Sequence, residues 1–298
     1  MEADKMRDIL YAGVLGDALG VPVEFESRGS YHISEMTGFG SWNQPKGTWS
    51  DDTSMTLCLV KNLTENGDYK SLMDKFVAYM TKGEWTPAGN IFDIGNACSK
   101  AIRNYAVNKL NPLKCGEASE YGNGNGAIMR LAPLVLTLEN ENNLQTRFNK
   151  YRNYTSVTHR HPRAIVGSLI YLEILWNLQK GSNINDAILN AKLSVEQIGD
   201  EYLEYQHEIS YYLRIFSSNF KDLPIEEVKS TGYVVDTLEA AVWLALKHNT
   251  YESAVLEAVN LGGDTDTIGS ITGTIMAFKN QNVVLPNSWM SELVNINF

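Results

Sequence analysis

Apolar residues recur three and four positions apart along much of the chain, the spacing of one buried face on a helix. Leu57, Val60 and Leu63 follow Asp52 in this way, and Ile165, Leu169, Leu172 and Leu175 follow His161-Pro162, where proline suits a first helical turn. Residues 237–246 and 251–261 read as two packed helices joined by His248-Asn249-Thr250. Small residues form two further stripes at four-residue spacing, Ala12, Gly16 and Gly20, and Gly269, Gly273 and Ala277. Such stripes let helices approach closely. Strand-like alternation is scarce, and residues 28–50 and 110–126 read as long loops. The pattern predicts an all-α fold, a compact bundle in one domain spanning residues 1–298.

Composition narrows the class. The chain has 298 residues, 44% apolar and 20% charged, so it can form a substantial core. Its 35 acids against 25 bases give a net charge of −10, which offers no general attraction to nucleic acid or to anionic lipid. The cysteines, Cys58, Cys98 and Cys115, are isolated and fit no zinc or disulfide framework. With no signal-peptide pattern at the N-terminus and no run of ~20 apolar residues, the expectation is a cytoplasmic protein, monomeric by default.

Two acidic clusters carry the candidate chemistry: Ser50-Asp51-Asp52-Thr53, and Gly262-Gly263-Asp264-Thr265-Asp266-Thr267. Each opens an apolar-periodic helix, where one Asp would suffice as a cap. Two per cluster hold like charges together, which is unfavourable unless a cation lies between them. Hard oxygen donors select Mg²⁺, Mn²⁺ or Ca²⁺, so a metal site shared by the two clusters is the expectation. Glu24 lies just past Pro22, where a solvated loop acid is the ordinary outcome, and Asp17 is the more buried of the two. The run Gly122-Asn123-Gly124-Asn125-Gly126 leads into the apolar 131–138 segment and suits phosphate bound at a helix N-terminus. His159 reads as a ligand contact and His161 as part of a polar segment opening a helix.

These motifs, in this order, resemble the ADP-ribosylglycohydrolase family. The resemblance is carried by Gly16-Asp17-Ala18-Leu19-Gly20 with Pro22 and Glu24-Phe25, by Trp49 to Thr53, by Gly124 to Arg130, by Thr158-His159 and by Gly262 to Gly269. The 232–241 segment also looks like a family helix start, and the likeness covers roughly residues 6–280. It implies an all-α fold and two divalent cations, Mg²⁺ or Mn²⁺. Carried over by position, the metal ligands are Ser50, Asp51, Asp52, Asp264, Asp266 and Thr267. Gly122, Asn123, Gly124, Asn125 and Gly126 would hold a diphosphate, with His159 touching it or its ribose, and Asp93 would contact the substrate side chain. The catalytic carboxylate would be Glu24 or a metal-site acid, Asp52 among them.

The reaction implied is hydrolysis of the bond between ADP-ribose and a modified protein side chain, arginine first. Hydrolysis of ADP-ribosylserine or of free O-acetyl-ADP-ribose stands as an alternative. A metal-stabilised ADP-ribose-binding protein without turnover is a third reading.

Overall fold

The computed structural model describes residues 2–280 and 282–296, with side chains from residue 5 onward. Thirteen α-helices account for the architecture of the described residues. In chain order they are α1 (Glu2–Gly20), α2 (Asp51–Thr64), α3 (Tyr69–Lys82), α4 (Asn96–Ala106), α5 (Pro133–Thr137), α6 (Leu144–Ser156) and α7 (Pro162–Gln179). Then follow α8 (Ile184–Glu201), α9 (Leu203–Ile209), α10 (Val234–Lys247), α11 (Tyr251–Val259), α12 (Thr265–Lys279) and α13 (Asn287–Met290). No strand occurs among the described residues; strand-like bridging is limited to single pairs such as Gly124 with Tyr233. The all-α expectation is met.

Helix α12 is the centre of the bundle. Every residue from Thr265 to Phe278 is buried, as expected of a helix surrounded by others. Its small stripe packs against that of α1. A Cβ built on Gly16 would lie 2.1 Å from the Gly269 carbonyl oxygen, and one on Gly269 would lie 2.5 Å from the Gly16 carbonyl oxygen. Only hydrogen fits between the two backbones there. The Tyr251 hydroxyl seals the same seam by donating to the Ala12 carbonyl at 2.6 Å.

Helices α7 and α10 complete the inner layer. Residues 163–175 of α7 are all buried, and Pro162 occupies its first turn with His161 as the cap accepting from Arg163 N–H. The two long loops are ordered by short 3₁₀ turns, Gly40–Trp42 in the first, Pro112–Lys114 and Glu120–Gly122 in the second. The apolar 131–138 segment forms only the short α5. The Gly122–Gly126 run therefore leads into a single 3₁₀ turn, Ile128–Arg130, and not into an α-helix N-terminus. The expected helix dipole at that loop is absent, because Pro133 begins the helix further along. No helix among the described residues is long and apolar enough to cross a membrane.

Candidate active site

The starts of α2 and α12 face one another beside α1. Ser50 caps α2, its Oγ accepting from Asp52 N–H at 3.3 Å, so Asp51 and Asp52 occupy the first turn. Asp17 of α1 orients that turn. Its carboxylate accepts from Ser50 N–H at 2.9 Å, from Thr53 N–H at 3.1 Å and from Thr53 Oγ1 at 2.5 Å. Asp17 is thus a built part of the site, where its sequence position alone indicates only a buried core acid. Its place in a helix facing a cap was the missing information.

The second cluster is positioned by a glycine turn. Gly262 and Gly263 have φ of 76° and 73°, a region open to glycine at little cost. A Cβ on Gly263 would meet the Ser230 carbonyl oxygen at 2.1 Å. This turn pairs with the chain after α1: Phe25 N–H donates to the Gly263 carbonyl at 2.6 Å and Gly263 N–H to the Glu26 carbonyl at 2.9 Å. The pairing carries Glu24 to the acidic cluster. Carboxylate oxygens of Glu24, Asp264 and Asp266 lie within 4.8 Å of one another. The Arg28 guanidinium clamps the same region by donating to the carbonyls of Leu261, Ile225 and Val228.

A cavity of about 370 Å³ opens on this arrangement. Its wall includes the carboxylates of Glu24, Asp51, Asp52, Asp93, Asp264 and Asp266, and Thr267 beside them. No Lys or Arg lines it among the described residues. Gly124, Asn125, Gly126 and His159 also line it, and the exposed Phe25 and Tyr121 stand at the rim. Ser50, Gly122 and Asn123 lie outside this lining. Ser50 is turned inward, its Oγ 3.4 Å from Asp52 Oδ2. Asn123 braces the loop by donating to the Glu120 carbonyl at 3.0 Å. Neither Gly124 nor Gly126 has positive φ.

Hydrogen bonds fix the individual acids. Thr267 Oγ1 donates to Asp52 Oδ2 at 3.1 Å, Gly95 N–H to Asp51 Oδ2 at 3.1 Å, and Asn125 Nδ2 to Asp264 Oδ2 at 2.9 Å. The Trp42 indole N–H donates to Glu24 Oε2. Glu24 is only 4% exposed, so it is not a solvated loop acid. Two oxygens, Asp52 Oδ1 and Asp264 Oδ1, are buried with no hydrogen-bond partner among the described residues. Such orphaned acceptors are costly unless something outside the chain satisfies them.

The electrostatics follow from burial and crowding. Burial, followed by repulsion from Asp264, Asp51 and Asp17, pushes the Glu24 carboxyl up to about 8 against the stabilising Trp42 bond. Burial and the neighbouring Asp51 push Asp93 up to about 9, and burial raises Asp17 and Asp51 to about 6. Asp52 and Asp266 are raised well above the ordinary range, by burial first and then by their acidic neighbours. Without a counter-charge these groups resist ionisation together. Clustered hard oxygens with unsatisfied lone pairs are the donor set that Mg²⁺ or Mn²⁺ takes.

A family model described as ADP-ribosylglycohydrolase matches residues 1–296. ADP-ribosylarginine hydrolase Tri1 of Serratia proteamaculans is 32% identical over 98% of this chain and 75% of its own length. The protein of the same name from Pseudomonas putida is 28% identical over 97% of this chain and 74% of its own. ADP-ribosyl-[dinitrogen reductase] glycohydrolase of Rhodospirillum rubrum is 27% identical over 94% and 86%. A solved structure, titled ADP-ribosylglycohydrolase-related protein complex, superposes with a TM-score of 0.79 at 28% identity, covering 98% of this chain and 93% of that one. With its motifs in family order and an all-α bundle carrying them, the chain belongs to the ADP-ribosylglycohydrolase family.

Proposed function

We propose that this protein is a divalent-metal-dependent hydrolase that removes ADP-ribose from modified protein side chains, with ADP-ribosylarginine as the preferred substrate. The observation that carries this reading is the cavity wall of six carboxylates with two orphaned oxygens and no Lys or Arg among the described residues. That wall suits a cationic guanidinium, and two relatives bear the name ADP-ribosylarginine hydrolase. Two Mg²⁺ or Mn²⁺ ions would be held by Asp51, Asp52, Asp264, Asp266 and Thr267, with Ser50 supporting Asp52 and Glu24 close enough to join. When bound, such ions supply positive charge that keeps the clustered carboxylates ionised and polarises hydroxyl groups of the ribose.

The chain's own residues then divide the work. Trp42 holds one oxygen of Glu24 and leaves the other to take a proton from the attacking water. The water oxygen bonds to ribose C1″ as the bond to the guanidine nitrogen breaks. Glu24 returns the proton to the departing guanidine, a strong base. Asp52 is the second candidate for this proton. The carboxylate wall stabilises the oxocarbenium-like charge at C1″ in the transition state. Asp93, at the cavity edge, receives the arginine side chain. Gly124, Asn125, Gly126 and His159 hold the diphosphate away from the reacting bond and so orient it. A cytoplasmic setting fits the three free, buried cysteines, and the enzyme is proposed to act as a monomer.

The test is release of ADP-ribose from arginine-modified protein, serine-modified protein and O-acetyl-ADP-ribose, each with Mg²⁺, with Mn²⁺ and with EDTA. The expected result is metal-dependent release from the arginine-modified protein. Faster turnover of either other substrate reassigns the specificity. ADP-ribose binding without turnover of any of them establishes the non-catalytic reading instead.

A further inference from the structure

Beneath the diphosphate wall lies a buried arginine that the proposed chemistry does not use. Arg130 is fully buried, and its Nη1 donates to the Gly126 carbonyl. Its Nη2 donates to Thr158 Oγ1 at 2.8 Å and to the Tyr154 carbonyl at 3.3 Å. Thr158 Oγ1 in turn lies 2.9 Å from His159 Nδ1. A guanidinium only donates, so Arg130 occupies one lone pair of the Thr158 hydroxyl and leaves its proton for another acceptor. His159 Nδ1 fits that need. The Cys98 thiol also reaches Thr158, but sulfur is a weak acceptor, and this thiol donates to the Gly126 carbonyl at 3.7 Å. Burial and the nearby Arg130 charge keep the imidazole neutral, its pKa lowered to about 3. A neutral ring that accepts at Nδ1 carries its proton on Nε2.

Nε2 is the nitrogen nearest the glycine loop. A methyl group built on Gly124 or on Gly126 would lie 3.6 Å from it. The backbone N–H groups of Gly124 and Gly126 make no hydrogen bond among the described residues. With no Lys or Arg in the wall among the described residues, and with His159 neutral, the chain meets a bound anion there with neutral N–H donors. The geometry points to Arg130 and Thr158 as positioning residues that lock His159 in its Nε2–H tautomer, so that the imidazole donates to a phosphate oxygen of ADP-ribose. This inference rests on the function proposed above. The opposite tautomer would turn a lone pair toward the phosphate, which repels it.

Long-range ¹⁵N–¹H NMR of the full-length protein reads the tautomer directly, with His159→Gln identifying the signal. The expected spectrum shows Nε2 protonated and Nδ1 bare in the wild type. Thr158→Val, which removes the hydroxyl at nearly constant shape, should redistribute the tautomers and weaken ADP-ribose binding about tenfold, the scale of one charge-assisted hydrogen bond. Thr158→Ser should restore both. A purely structural Thr158 would lower stability without moving the tautomer. An Nδ1–H imidazole in a wild-type protein that binds ADP-ribose overturns this inference and leaves the proposed function standing. So does unchanged ADP-ribose affinity in a folded Thr158→Val protein. A wild type that does not bind ADP-ribose rejects the proposed function and this inference together. The wild-type spectrum decides the tautomer even where a substituted protein does not fold.

Discussion

Asp17 and Thr53 are joined through both the side chain and the backbone of the threonine, tying the buried face of α1 to the first turn of α2. Asp51 and Asp52 lie between the two points at which Asp17 accepts, Ser50 N–H and the Thr53 pair. The carboxylate thus acts as a template for the ligand-bearing turn. Asp17→Asn retains the shape but turns an amide donor toward these donors. It should lower stability by about 1–3 kcal/mol and weaken Mn²⁺ binding, measured by thermal unfolding and by calorimetry. Unchanged Mn²⁺ affinity would show that the turn keeps its geometry without Asp17.

Asp51→Ala and Asp264→Ala remove one acid from each cluster. Both should abolish turnover and weaken divalent-ion binding while circular dichroism remains helical. A bound ion stabilises the native state by about 2.7 kcal/mol at a hundredfold excess over Kd. Mg²⁺ should therefore raise the wild-type Tm more than that of either substituted protein. Wild-type activity in either folded variant rejects a site shared between the clusters.

Glu24→Gln separates catalysis from packing, because the amide oxygen can still accept from Trp42 but cannot take up a proton at neutral pH. A lost general base costs about 10²–10⁴-fold in kcat. That loss is expected with ADP-ribose affinity nearly intact. A few-fold change removes Glu24 from the reaction. A parallel loss of Mn²⁺ affinity makes it a ligand and passes the base role to Asp52.

The glycine loop gives a graded expectation. A Cβ at Gly126 would lie 2.8 Å from Cys98 Sγ and 3.0 Å from His159 Cε1, whereas one at Gly124 has ordinary contacts at 3.6 and 3.7 Å. Gly126→Val should disturb the imidazole and weaken ADP-ribose binding strongly. Gly124→Val should weaken it by projecting into the cavity, with stability preserved. Metal binding should survive both. Equal ADP-ribose affinity for the two variants and the wild type, by calorimetry, would reduce the loop to a turn.

The metal-free protein should lose stability as pH rises from 7 to 9. Glu24 and Asp93 have folded values near 8 and 9, above the ordinary 4.5 and 3.8, so in this window the native state holds more protons than the unfolded chain. Stability from these raised groups is complete below the unfolded values and is lost as pH climbs through the folded ones. His159 works in the opposite sense, but only below its ordinary 6.5. Tm measured in EDTA should fall across the window, and saturating Mg²⁺ should flatten the slope by neutralising the cluster. A flat EDTA profile contradicts the crowding of carboxyls described above.

The helical class, the two small-residue stripes and both acidic clusters were legible in the residues alone, because each is a local pattern. A stripe repeats within one helix, and like charges crowded into a few positions announce an unmet electrostatic need wherever they fold. What joins them is not local. That Gly16 meets Gly269, that Asn125 reaches Asp264, and that Thr267 reaches Asp52 depends on contacts each spanning well over a hundred residues, which no periodicity encodes. Position alone makes Glu24 an ordinary loop acid, and the resemblance makes it a catalytic candidate; the pairing of the Gly262-Gly263 turn with Phe25 is what brings it to the acidic cluster and the Trp42 N–H. Arg28 lies in no motif, and Asp17 and Arg130 lie in motifs that do not announce their partners. Their roles come from which carbonyls and N–H groups surround a buried charge, and only the packed chain decides that. The loop at 122–126 shows the converse: its glycines suggested an anion site at a helix start, but the proline at 133 delayed the helix and left the backbone and His159 to form that wall.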